Sequence, residues 1–395
     1  MSGDSKFDGT PTVTLNPYKY MFSSVSDVIS WNDTINPASS CQNIFSAWKN
    51  DAEVILDSVI KDSDIELTAT EEEGVEAARQ IGMGVFEKFI GRATASVWRE
   101  QAPEVRRMDI ERILSLPQVP QRTAAWYEQG RSVLTASEFS NLFGSPRAIR
   151  QLAFNKVSVQ TAQQTNRLAC LTCEMGPFDW GIRFEPVVKQ VLADRWGAKI
   201  IDSGRLLHPT DPLLAASPDG FIVEANEPER IGRLIEIKCP ISREVGVDIP
   251  FEYWCQMQIQ MEVTGIEECE YVEVKLDSIS PKKMDLSGAT PEGHVWLFQN
   301  GTTCQMSYVY TEAEKGDAEK AGLDLIETIP WRVNQLYAKT VVRDKSWFQG
   351  TAKAREEFWE IVAQARRGEI QPFEVKSRMK VVVTKKAECR IVDDV

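Results

Sequence analysis

Apolar positions change their period several times along the 395-residue chain. From about Cys41 to Leu116 they recur at three- and four-residue steps, first as Ile44, Phe45, Trp48, Ala52 and Ile55, then as Ala77, Ile81, Val85, Phe89 and Ile90. Such steps draw an apolar stripe down a helix, and Thr68-Ala-Thr-Glu-Glu offers a helix start. Residues 1–40, rich in Ser, Asn, Asp, Thr and Pro, predict an extended, poorly ordered lead. Leu116-Pro-Gln-Val-Pro-Gln121 reads as a linker.

Beyond the linker the pattern alternates between helix and strand. A short helix over Glu138–Phe143 is capped by Thr135 or Ser137. Asp179-Trp-Gly-Ile-Arg-Phe-Glu185-Pro186 opens a helix whose apolar face is Val188, Val191, Leu192 and Trp196. Lys199-Ile-Ile reads as the first strand of a sheet, followed by Leu213–Ala216, Leu234–Lys238 and Glu270-Tyr-Val-Glu-Val-Lys-Leu276. A helix over Phe251–Val263 carries Gln256 and Gln260 on one face and Gln258 on another. Residues 278–325 lose the periodicity and predict an insertion, Trp331–Val342 resumes strand character, and Gly350–Arg366 is a helix. The expected organisation is a lead (1–40), a helical extension (41–118) and an α/β core (119–395) with that insertion and a basic tail, Lys376 to Arg390.

Composition narrows the chemistry. The chain is 43% hydrophobic and 26% charged, enough for a sizeable core. Its start has no apolar h-region and no apolar run reaches membrane-spanning length, so a soluble intracellular protein with no membrane partner is expected. The eight cysteines are scattered and predict free thiols, and the lone Cys170-Leu-Thr-Cys173 has no second pair for zinc. With only His208 and His294, histidine-based hydrolysis has almost no material. A net charge of −13 argues against a broad basic face for nucleic acid, and predicts weak, salt-sensitive binding where divalent metal is absent.

The most informative stretch is Ser217-Pro-Asp219-Gly220 followed by Glu236-Ile237-Lys238-Cys-Pro240. Pro218-Asp-Gly220 is a turn, and along the following strand Leu234, Glu236 and Lys238 share one face while Ile235 and Ile237 take the other. Burying Glu and Lys is costly unless they are paired or bound to metal. If the Leu213–Ala216 and Leu234–Lys238 strands pair, Asp219, Glu236 and Lys238 converge. Paired carboxylates suit Mg²⁺, which prefers oxygen ligands, and a bound metal assists phosphodiester hydrolysis. A surface turn beside a Glu–Lys ion pair accounts for the same residues more plainly. Glu185 is either a helix-dipole acid or a further acid of the site. Arg131 and Ser137 are either surface and cap residues or a phosphate clasp at a helix start.

Five pieces in order resemble the lambda-exonuclease-like nucleases, the YqaJ-type viral recombinase family of the PD-(D/E)XK superfamily. They are Trp126…Thr135-Ala-Ser137-Glu138, Trp180-Gly-x-x-Phe184-Glu185, Ser217-Pro-Asp-Gly220, Glu236-Ile-Lys238-Cys-Pro240 and Gln256-Met-Gln258. The resemblance spans roughly 120–275 and resumes near Val341–Arg367. It implies a restriction-endonuclease-like core, a mixed sheet flanked by helices. Asp219, Glu236 and the Ile237 carbonyl would bind the metal, Lys238 would be the catalytic lysine, Glu185 the helix-borne acid and Gln258 an active-site glutamine. Ser137 would lie in a pocket for a DNA 5′-phosphate. In the family a basic residue stands where this chain has Gly130, and Arg131, one step later, is the expected substitute.

The resemblance further implies a Mg²⁺-dependent 5′→3′ exonuclease on linear duplex DNA, with Mn²⁺ able to substitute. Its partners would be DNA ends, a single-strand annealing protein and further copies in a trimeric ring. Its place would be recombination or genome processing in a virus or phage, in host cytoplasm or nucleus. Two rivals remain open: an endonuclease of the same superfamily, resolvase-like or restriction-like, and a non-catalytic DNA-binding scaffold on a nuclease fold.

Overall fold

The computed structural model describes residues 97–158, 176–246, 248–278 and 290–373. The lead, the run 41–96, Cys170 and Cys173, and the tail from Lys376 lie outside the described residues. All described residues belong to one unit, Gly84–Val395.

Helix α1, Pro103–Leu114, begins on a proline, which loses nothing where the N–H has no intrahelical partner. It buries Ile110 and Ile113, and its Arg106 and Arg107 donate to the carbonyls of Pro228, Glu229 and Val223. Helix α2, Ala124–Ser132, leads through β1, Leu134–Thr135, into a 3₁₀ helix over Ala136–Phe143. Thr135 stands at its N-cap, where Glu138 accepts from both the Thr135 N–H and its hydroxyl. Helix α3, Pro146–Val157, follows.

Helix α4, Pro177–Trp196, starts earlier than expected and runs through Pro186. Glu185 is therefore a mid-helix residue, and a role as a first-turn dipole acid is ruled out. Gly197 ends the helix with φ of +57°.

The strands β2 (Lys199–Ile201), β3 (Leu206–Leu207), β4 (Leu214–Ala216), β5 (Gly220–Glu224) and β6 (Leu234–Lys238) come next. Helix α5, Phe251–Thr264, precedes β7, Glu268–Asp277. Residues 290–325 hold two strands, β8 (Glu292–Gln299) and β9 (Met306–Val309), and helix α6 (Glu312–Lys320). The long strand β10 runs Asp324–Val342, and α7 (Lys345–Gly350) and α8 (Ala352–Arg367) close the described chain.

Seven strands form the main sheet in the order β2-β5-β6-β7-β10-β8-β9. Only β6 and β7 run parallel, joined by the α5 crossover. The strand expected to pair with Leu234–Lys238 is not the one that does. Leu214–Ala216 joins β1 and β3 in a separate three-stranded sheet, and β5, which follows the turn, pairs antiparallel with β6. The turn residue Asp219 still arrives beside β6, because Gly220 opens β5 opposite Ile235. Glycine is required at 220: a β-carbon there would meet Ile200 Cγ2 at 2.4 Å and Ile201 O at 3.2 Å.

The sheet has a helix layer on each face. Ile235 and Ile237 pack with Val272, Phe184, Val188 and Leu192 beneath α4. Leu234 and Phe221 pack with Met257, Ile259, Tyr271 and Phe358 toward α5 and α8. The predicted alternation along β6 thus sends Glu236 and Lys238 toward α5. No helix among the described residues is long and apolar enough to cross a membrane.

Candidate active site

β6 is an interior strand, so Glu236 is fully buried, with 0% exposure. A charge there needs partners. Its two oxygens receive hydrogen bonds from Lys238 Nζ and, at 2.6 Å, from Gln260 Nε2. Lys238 also donates to Gln256 Oε1 at 3.2 Å and lies over the Tyr253 ring, 4.7 Å from its centroid. Asp219 accepts from the Ile237 N–H at 2.7 Å. Burial pushes the Asp219 carboxyl well above its ordinary value, and Glu236 and Glu185 push it further. Burial alone would lower the Lys238 ammonium, but Glu236 and Asp219 outweigh it and hold it above its ordinary value. Glu185 comes from α4, with Lys189 Nζ at 2.8 Å and Arg122 Nη2 at 3.4 Å.

Three carboxylates thus stand near one another, with the Lys238 ammonium against Glu236 and the Lys189 ammonium against Glu185. Their mutual repulsion is what a divalent cation relieves, and oxygen donors suit Mg²⁺. Among the described residues no three His, Cys, Asp or Glu side chains stand in ready metal-binding geometry. Lys238 and Gln260 occupy Glu236, and Lys189 and Arg122 occupy Glu185. In kind, the carboxylates are the oxygen donors that Mg²⁺ takes.

The cluster opens on a cleft of about 690 Å³. Asp219, Lys238, Glu185 and Ile237 line it. Ser137, Arg131, Lys156 and Arg205 line it as well, so one cleft presents both carboxylates and cations. With Thr135 serving as cap, the Ser137 hydroxyl is left for the cleft, 3.4 Å from Thr135 Oγ1. Arg131 also lines the cleft, but sits 3.7 Å from its helix neighbour Glu128.

Gln258 is a correction. Its amide donates to the Val342 carbonyl at 2.9 Å and accepts from the Asp344 N–H at 2.6 Å, on the side of α5 away from the carboxylates. Successive helix residues are turned by about 100°, so Gln256 and Gln260 meet Lys238 and Glu236 while Gln258 cannot. Replacing Gln258 with Leu leaves two backbone groups unpaired, and it is expected to cost on the order of 1–3 kcal/mol of stability. Denaturant titration measures that loss, and the reactions of the cleft should be unchanged.

Other groups are removed from contention. His208 Nδ1 accepts from the Thr210 and Asp211 N–H groups, and Nε2 stands 3.6 Å from Glu262. Neither His208 nor His294 lines the cleft. Burial, then Glu185 and Asp219, pushes the Cys239 thiol far up, which disfavours a thiolate nucleophile. The residues that pattern reading missed are Gln260, Tyr253, Lys156 and Arg205. Only the i, i+4 spacing of Gln256 and Gln260 gave a signal.

A mixed sheet between helix layers thus presents Asp219, Glu236 and Lys238 from a turn and one strand. Residues 125–267 match the family model of the YqaJ-like viral recombinase domain. An uncharacterized protein of Acanthamoeba polyphaga mimivirus is 28% identical over 184 residues, which cover 43% of this chain and 32% of that protein. The chain therefore spans about a third of that relative's length. Among solved structures, an alkaline exonuclease from Laribacter hongkongensis in complex with dAMP is 17% identical. That match covers 62% of this chain and 96% of that one, with a TM-score of 0.36. A phage-related exonuclease from Haemophilus somnus is 13% identical over 60% of this chain and 96% of that one, with a TM-score of 0.32.

Proposed function

We propose that the chain is a Mg²⁺-dependent deoxyribonuclease that degrades linear duplex DNA from 5′-phosphorylated ends, in the 5′→3′ direction, during viral recombination or genome processing. The observation that carries the reading is the meeting of Asp219, Glu236, Glu185 and Lys238 beside a cleft that is also lined by the buried cations Lys156 and Arg205. Such a cleft offers oxygen ligands to a metal and charge complementarity to a phosphodiester chain.

Asp219, Glu236, the Ile237 carbonyl and Glu185 would hold the ion, with Mn²⁺ an acceptable substitute. A metal held there would supply a water of lowered pKa and offset the charge developing on the phosphoryl oxygens. Lys238, kept protonated by its neighbours, orients that water or steadies the leaving oxygen. Gln260 fixes the Glu236 carboxylate, and Gln256 with Tyr253 fixes the ammonium. The partners are DNA ends, together with a single-strand annealing protein and further copies of the chain.

The experiment sets linear duplex beside a covalently closed circle, in Mg²⁺ or EDTA. Mg²⁺-dependent loss of the linear DNA with the circle intact is the expected result. A cut circle would move the assignment to an endonuclease, and DNA binding with no cleavage would leave a scaffold.

A further inference from the structure

Arg205 is a cation without a carboxylate of its own. It is 3% exposed, and among the described residues no Asp or Glu forms an ion pair with it. Its Nε is buried with no hydrogen-bond partner. Nη1 donates to the Trp126 carbonyl, and the guanidinium lies over the Trp126 ring, 4.0 Å from its centroid. Burial pulls it down to about 10, with Glu138 acting in the opposite direction. Glu138 is already committed to Lys156, at 2.6 Å. Two buried cations therefore share one carboxylate, Glu138, on the wall of an open cleft. An uncompensated buried charge is costly, and an arginine fork pre-set by stacking matches a phosphate better than a point charge does.

The position of the fork explains Gly130. A β-carbon at 130 would stand 3.1 Å from Arg205 Nη1 and 3.5 Å from Nη2. Arg205, bridged to Val119 just before β3, thus occupies the space that a side chain at 130 would take. Arg131, the nearest basic residue in sequence, is turned toward Glu128 instead. Two hydroxyls complete the corner: Ser137, and Ser217, whose Oγ accepts from Trp126 Nε1 at 3.3 Å and so keeps its own O–H to donate.

We infer that Arg205, admitted by the glycine at 130, is the residue by which the cleft selects a terminal 5′-phosphomonoester of DNA. The inference rests on the nuclease reading of the same cleft and adds the residue that sets its preference for ends.

The test is fluorescence anisotropy in EDTA with short duplexes bearing a 5′-phosphate, a 5′-hydroxyl or a 3′-phosphate. The full-length wild type is expected to favour the 5′-phosphate by about 10- to 100-fold, the worth of a hydrogen bond to a charged group. Arg205→Gln should bind the 5′-phosphate and 5′-hydroxyl duplexes alike, and adding Gly130→Arg to it should restore most of the preference. A merely structural arginine would not be rescued from position 130. If Arg205→Gln does not fold, Gly130→Ala, which crowds the fork, should lower the preference severalfold. An unchanged ratio in Arg205→Gln or Gly130→Ala, or a wild type blind to the phosphate, overturns the inference. Preference for the 3′-phosphate overturns the 5′ assignment. Mg²⁺-dependent cleavage by the wild type is scored separately. Its absence fails the nuclease reading, whereas its presence without end preference fails only Arg205.

Discussion

Replacing Lys238 with Ala is expected to lower the rate of DNA cleavage by about 10²- to 10⁴-fold at saturating Mg²⁺, the range for losing one positioned proton donor or charge stabiliser. Lys238 is the one ammonium bonded to Glu236, and Gln256 and Tyr253 hold it from the other side. Nothing else among the described residues is placed to take over. Arg122 and Lys189 are turned to Glu185, and Arg243 is paired with Glu273. The variant also leaves Glu236 with Gln260 as its remaining partner, so the metal-free protein should lose stability. Single-turnover cleavage and thermal melting, each with and without Mg²⁺, separate the two effects. A rate within threefold of the wild type would remove Lys238 from the chemistry.

Asp219→Asn should act in the opposite sense on stability. Its carboxyl is buried against Glu236 and Glu185, and an amide in its place removes the repulsion while still accepting from the Ile237 N–H. In EDTA the variant is expected to melt a few degrees above the wild type. Adding Mg²⁺ should reverse the order. A ligand at 100 times its Kd stabilises the state that binds it by about 2.7 kcal/mol, and only the wild type keeps the ligand set. Cleavage should fall with the metal affinity. If Mg²⁺ raised the melting temperature of both proteins equally, the ion would not be binding at Asp219.

Much of this site was legible in the sequence because strands have a period of two. Glu236 and Lys238 had to share a face, and the Pro218-Asp219-Gly220 turn had to deliver Asp219 next to a strand. The partner of β6 differs from the expected strand: Phe221-Ile-Val223, aromatic and β-branched, is the better strand former and follows the turn directly, while Leu214–Ala216 pairs elsewhere. What settles the pairing is Gly220, whose missing side chain lets Ile200 and Ile235 close in from either side. Gln258 was misplaced because its role came from the order of motifs rather than from the helical phase, which turns Gln256 and Gln260 inward instead. The strands at 292–309 escape the pattern because Val295-Trp-Leu-Phe298 is a short apolar run buried on both faces, with no alternation, and the edge strand Met306–Val309 is too short to show a period. Arg205 carried no local signal. It sits in an isolated bridge to Val119 and reaches Gly130 across 75 residues of chain, a contact that only the fold creates.

The central claim is that the carboxylate cluster around Asp219 and Lys238 hydrolyses DNA with a divalent metal. It is tested most directly by nucleotide release from a labelled linear duplex, with wild type and Asp219→Asn run side by side in Mg²⁺ and in EDTA. The account predicts release by the wild type in Mg²⁺ alone, and almost none from the variant in either buffer. Release that persists in EDTA, or that survives undiminished in Asp219→Asn, would contradict it.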